Sequence, residues 1–140
     1  MKRDLAESEN YKVTSEYEMV SLHFKAKDRD PIYIGDFYGD PDSAIISSDE
    51  NYVAMAGCGL IIYKLQEPFD EYLDENTNQY FVFNNTEPNI WWTSNVHQSS
   101  EDKDPKFFRF AKEENSKKVI YRFDISTNTI DNPLQNPADT

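Results

Sequence analysis

The chain has 140 residues, with 14 Lys and Arg against 26 Asp and Glu, for a formal net charge of -12. This length suits one domain spanning 1–140. The charge repels nucleic-acid backbones and anionic membranes and steers the chain toward basic surfaces. Cys58 is the single cysteine, which excludes an internal disulfide and a cysteine zinc site.

Residues 1–16 are polar, mixed in charge and without an apolar period, so a loosely ordered end is expected there. From Tyr17 to Phe24, Val20, Leu22 and Phe24 alternate with Met19, Ser21 and His23, the period of a strand with one buried face. Ile32–Phe37 is a second strand, ended by the loop Tyr38-Gly39-Asp40-Pro41-Asp42. Ser43–Ser48, Tyr52–Ala56 and Leu60–Leu65 follow, separated by Asp49-Glu50-Asn51 and Gly57-Cys58-Gly59. Short strands joined by tight turns predict an antiparallel meander.

Glu67–Leu73 predicts one or two helical turns, with Pro68 at the first position and Asp70 and Glu71 near the positive end of the dipole. Strands resume at Gln79–Phe83 and Ile90–Thr93. A polar loop over Asn95–Lys106 precedes a hairpin of Phe107–Ala111 with Val119–Ile125, and the tail 132–140 is expected to be loosely ordered. The fold class expected is mainly β: an antiparallel meander sheet, sandwich or half-barrel of about eight short strands with one short helix. The Ser-Asp-Glu-Asn-Tyr turn at 48–52 is similar to one in propeller blades, but a closed propeller needs at least about four of them.

Nine Phe, nine Tyr and two Trp offset a hydrophobic content of 38%, because large rings build a compact core from few residues. The amino terminus carries no secretory signal pattern, and no apolar run approaches the roughly 18 residues that span a bilayer. A cytoplasmic location is the expectation.

No phosphate-cradling glycine loop, nucleophile elbow or His-Glu-x-x-His occurs. His23 and His97 are far apart, and the phase of its strand turns His23 to the polar face. Asp36, Asp40 and Asp42 are closely spaced oxygen ligands, but their spacing does not fit a calcium loop. The expectations are therefore no catalytic residues, no metal and no cofactor. Two features point instead to a protein-binding surface. Glu67, Asp70, Glu71, Asp74 and Glu75 place five carboxylates within nine positions. In Trp91-Trp92, adjacent strand residues face opposite ways, so one ring enters the core and the other, taken as Trp92, can anchor a partner. Asp70, Glu71, Asp74 and Glu75, then Asp40, Asp42 and Trp92, are the expected contact residues.

The stretch Ile32–Tyr72, from Ile-Tyr-Ile-Gly-Asp-Phe-Tyr-Gly-Asp through Gly-Cys-Gly-Leu-Ile-Ile-Tyr to Pro-Phe-Asp-Glu-Tyr, resembles small bacterial immunity proteins of contact-dependent growth-inhibition and polymorphic toxin systems. The resemblance implies a cytoplasmic, non-enzymatic protein that binds a cognate toxin domain, a basic nuclease by the charge, and carries no site residue over by position. Two rival readings are an acidic adaptor or nucleic-acid mimic that occupies a DNA- or RNA-binding protein, and a small β-rich enzyme or ligand-binding domain.

Overall fold

The computed structural model describes residues 2–26, 28–72 and 77–133. It is mainly β. Among the described residues there are 12 strands in three four-stranded antiparallel sheets, with no helix, so none is long and apolar enough to cross a membrane. The first sheet is β1 (Lys2–Glu7), β2 (Tyr11–Glu16), β3 (Met19–Phe24) and β4 (Ile32–Asp36). The middle sheet is β5 (Ser43–Ile46), β6 (Tyr52–Gly57), β7 (Gly59–Lys64) and β8 (Tyr80–Phe83). The last is β9 (Thr93–His97), β10 (Phe107–Glu114), β11 (Lys117–Asp124) and β12 (Thr129–Asp131). Each sheet is a meander in which every strand pairs with its chain neighbour.

The sheets stack face to face. Tyr52–Gly57 and Gly59–Lys64 are almost unbroken apolar runs, the composition of strands buried on both faces. Val53, Met55, Ile61 and Tyr63 pack one way, against Val13, Val20, Leu22 and Ile34 of the first sheet. Ala54, Ala56, Leu60 and Ile62 pack the other way, against Phe108, Phe110 and Phe123 of the last. The two alanines leave room for large rings, so small and large side chains interdigitate at core density. Phe108 and Phe123 stack with centroids 5.1 Å apart, and Phe83 meets Phe123 edge-on at 5.2 Å. Between sheets, β1 and β2 lie against β5, and β5 and β6 lie against β9.

The strand count and the short helix correct the sequence reading. Lys2–Glu7 and Tyr11–Glu16 form β1 and β2, not a loose end. Their apolar period is faint because β1 is mostly exposed and β2 buries Thr14 and Ser15 beside Val13. Residues 67–72 form a turn in which Phe69 has φ 57°. Its ring packs edge-on against Phe24, centroids 5.0 Å apart. The Gln79 amide donates to the carbonyls of Lys64 (2.8 Å) and Gln66 (2.5 Å), taking acceptors a helix would have used. Leu73 lies outside the described residues, as do 134–140 of the tail. The strand expected at Ile90–Thr93 begins at Thr93 and runs into the segment read as loop.

Gly59 has φ +81°, and a Cβ there would sit 2.5 Å from the Phe83 carbonyl oxygen and 2.8 Å from Asn85 Cβ. Gly39 has φ +84° with open space around it. Gly39→Ala should cost only the left-handed backbone penalty, about 1 kcal/mol. Gly59→Ala adds overpacking and should cost about 3 kcal/mol or more. Equal losses in urea denaturation would contradict this packing at the β6–β7 reversal.

Candidate functional site

Stacking leaves one face of the first sheet uncovered, and three exposed tyrosines lie on or beside it. In β2 and β3, Glu16 pairs with Met19, Thr14 with Ser21 and Lys12 with His23, so their side chains share the outer face. In β4 the register slips between Val20 and Ser21. Ile34 and Gly35 both turn inward: Ile34 is fully buried, and a Cβ on Gly35 would meet Met55 Sδ at 3.0 Å. A regular strand sends residues three apart to opposite faces; this bulge puts Tyr33 and Asp36 on the same one.

The β2–β3 reversal sets the second ring. Tyr17 takes the first turn position with φ 56°, where glycine is the usual residue because other side chains are strained. Its ring is 68% exposed. Glu18 then locks the neighbouring loop: its carbonyl accepts Phe37 N–H at 2.9 Å and its carboxylate accepts Gly39 N–H at 2.6 Å. With Phe37 buried, Tyr38 is held at the surface beside the turn, 78% exposed. Glu16, Tyr17, Glu18, Met19, Tyr33, Asp36, His23 and Lys2 line one shallow depression of about 510 Å³. Asp40, two residues beyond Tyr38 in the same loop, is exposed.

His23 Nε2 is 2.8 Å from Thr14 Oγ1. Burial, with Lys2 and Lys12 adding to it, pushes its pKa below the ordinary value, so the ring is neutral at pH 7. The face carries Glu16, Glu18 and Asp36 together with Lys2 and Lys12, exposed rings and a neutral histidine.

The expected contact residues are not gathered in one place. Asp40 borders the tyrosine face. Glu71 reaches its edge, where its carboxylate accepts Tyr33 N–H at 3.4 Å and Tyr72 N–H donates to the Tyr33 carbonyl at 3.0 Å. These contacts cover the free edge of β4. Asp70 is structural: its carboxylate accepts Thr77 Oγ1 (2.7 Å), and its carbonyl accepts the Tyr63 hydroxyl (2.7 Å). The Asp42 carboxylate accepts Asn95 N–H at 2.8 Å, tying the β5 end to β9. Asp74 and Glu75 lie outside the described residues. Trp92 is exposed, on the segment that bridges to Cys58, while Trp91 stacks on Phe110 at 6.3 Å under Lys112 Nζ. The sequence reading missed Tyr17, Tyr33, Glu16 and Asp36. The alternation of Tyr33 with Ile32 and Ile34 was a usable signal; the bulge was not.

The densest titratable cluster holds the outer face of the last sheet together. The Asp102 carboxylate, 2% exposed, accepts from Arg109 Nε (2.7 Å), Arg109 Nη2 (3.0 Å) and Arg122 Nη1 (3.1 Å). Arg122 also donates to Asp131 at 2.7 and 3.1 Å. Burial pushes the Cys58 thiol up, so it is no thiolate nucleophile. Among the described residues no group of three His, Cys, Asp or Glu is placed to hold a metal.

Comparison with known protein families finds no match, and neither a curated protein nor a solved structure matches this chain.

Hydrogen bonds from Arg109, then Arg122, hold the Asp102 carboxyl below the usual carboxylate range. A depressed folded pKa contributes stability above the unfolded value, near pH 4, and loses it as pH falls toward the folded pKa. Asp102→Asn leaves the buried Arg109 only the exposed Glu101, at 3.7 Å, as a charge partner and should cost about 3 kcal/mol at pH 7. The gap to wild type in urea denaturation should shrink below about pH 4. A gap that is independent of pH would contradict the ion network.

Proposed function

We propose that this chain is a non-enzymatic immunity protein that binds and neutralises a cognate bacterial toxin domain with a basic surface, a nuclease being the expected kind. The observation that carries the reading is the outer end of the first sheet. Tyr17, Tyr33 and Tyr38 stand exposed among Glu16, Glu18, Asp36 and Asp40. Tyrosine gives large contact area at low conformational cost and is enriched among residues that dominate binding energy. The carboxylates around the rings match a cationic partner.

The strain at Tyr17 supports the same reading. A ring held at positive φ in a two-residue turn costs stability that glycine would not.

In this mechanism the net charge of -12 speeds encounter, and the tyrosines slow release. Electrostatic capture raises association well above the roughly 10⁶ M⁻¹s⁻¹ of uncharged pairs. A toxin domain encoded beside this gene is the partner to measure.

Tyr17→Gly should leave stability within about 1 kcal/mol of wild type while weakening toxin binding by about 2 kcal/mol, mostly through faster release. Glu16→Lys with Asp36→Lys should slow association at low salt and flatten its salt dependence. Unchanged affinity in both folded variants would remove this face from the interface. Equal binding to unrelated nucleic-acid-binding proteins would favour the mimic.

A further inference from the structure

A second concavity, of about 500 Å³, opens between the middle and last sheets at the end away from their packed rings. Along β7, Leu60, Ile62 and Lys64 alternate toward the last sheet, and β8 pairs Phe81 with Ile62 and Phe83 with Leu60. At Leu60 and Phe83 this face is filled by Phe123 and its neighbours. One pair further on, at Ile62 and Phe81, the last sheet's side is lined by Pro105 and Lys106 before β10 and by Ile125, Ser126 and Asn128 beyond β11, and the sheets part. The mouth is braced. Tyr52 Oη donates to the Pro105 carbonyl at 2.8 Å, and the Gln98 amide donates to the same carbonyl at 2.8 Å and to that of Phe107 at 3.1 Å.

The cleft carries two ammonium groups, those of Lys64 and Lys106, beside the carboxylates of Asp49 and Asp124. Lys64 Nζ stands 4.9 Å over the Phe81 ring, and among the described residues it makes no ion pair. Lys106 Nζ reaches the same cleft, 3.7 Å from Asp124. The acid at the mouth, Asp49, is turned back into its own turn: its oxygens accept Ser47 Oγ at 2.6 Å, Asn51 N–H at 3.1 Å and Asn51 Nδ2 at 2.8 Å. Asp124 is likewise occupied by Ser126, whose N–H and hydroxyl donate at 2.9 and 2.6 Å. The Lys64 ammonium, over the Phe81 ring and with no ion pair among the described residues, therefore faces a concave wall of Ile62, Leu65, Phe81 and Ile125 in a protein of charge -12.

We propose that this cleft binds a small monocarboxylate carrying an aromatic or branched apolar body. The body packs on Ile62, Phe81 and Ile125, and the carboxylate takes the Lys64 ammonium, with Lys106 as the second cation. The volume falls in the range of small-molecule sites, which are mostly apolar with a few convergent polar groups. A charge-assisted hydrogen bond in a partly desolvated cleft gives the acid its preference over a neutral isostere. The site is separate from the tyrosine face and stands whether or not a toxin binds there.

The test is an NMR titration of the whole protein with indole-3-propionate, and with indole-3-propionamide as the neutral control. The acid should cause saturable shifts at Lys64, Gln66, Phe81 and Ile125 with a Kd below about 1 mM, and the amide should bind about tenfold more weakly. Lys64→Met keeps the apolar stem, removes the charge and should weaken the acid about tenfold, to the level of the amide. Lys112→Met, whose ammonium sits over Trp91, should leave it unchanged. Absence of saturable shifts, equal binding of acid and amide, or shifts confined to other surfaces would overturn the proposal.

Discussion

Burial of the middle sheet on both faces is the constraint on which the rest of the molecule depends. A sheet with two apolar faces cannot be stable alone; it needs a cover on each side. The first and last sheets are those covers, and each therefore needs only one apolar face of its own. Val20, Leu22 and Ile34 serve one cover and Phe108, Phe110 and Phe123 the other. The outer faces are released from packing and have diverged in chemistry. On the last sheet an arginine–carboxylate network closes the surface, with Asp102 saturated by two guanidinium groups. On the first sheet the face is left with exposed rings beside Glu16 and Asp36, and that asymmetry is why binding is proposed there.

The placement of the rings depends on local departures from regular geometry. A bulge at Ile34–Gly35 aims Tyr33 and Asp36 the same way, at a point where a Cβ on Gly35 would meet Met55 Sδ at 3.0 Å. A positive φ at Tyr17 and one carboxylate, Glu18, bring the neighbouring loop alongside. The β4 edge, which would otherwise offer unpaired backbone groups, is covered by Glu71 and Tyr72. Phe37, Gly35 and Glu18 thus hold this surface, and the tyrosines stand exposed on it.

How much was legible in the sequence follows from the same physics. Strands with a strong period were readable: the alternation at Val20, Leu22 and Phe24 matches β3, and the apolar runs at 52–64 match the doubly buried pair. The meander was readable because the turns between those runs are short. β1, β2 and β12 were not, since they pair by backbone hydrogen bonds and carry few buried apolar side chains to mark a period. The helix expected at 67–73 failed because proline and acids at a helix start also suit a turn; the core instead claims Phe69 and Gln79 claims the carbonyls. The packing of Trp91 and the exposure of Trp92 match the expectation, but they lie before the strand that was to set them. The shared face of Tyr33 and Asp36 comes from a bulge that leaves no composition signal. Acidic residues clustered in sequence proved a weak guide: the described members of that cluster make backbone and loop contacts.

Native-state hydrogen exchange, residue by residue, tests the central claim most directly. If the doubly buried sheet organises the molecule, amides of β6 and β7 exchange only through global unfolding, while those of β1 and β12 open first at lower free energy. Exchange from β6 and β7 in a partial opening that leaves β10 and β11 protected would contradict the account, because the middle sheet would then be a dependent layer and not the support of the other two.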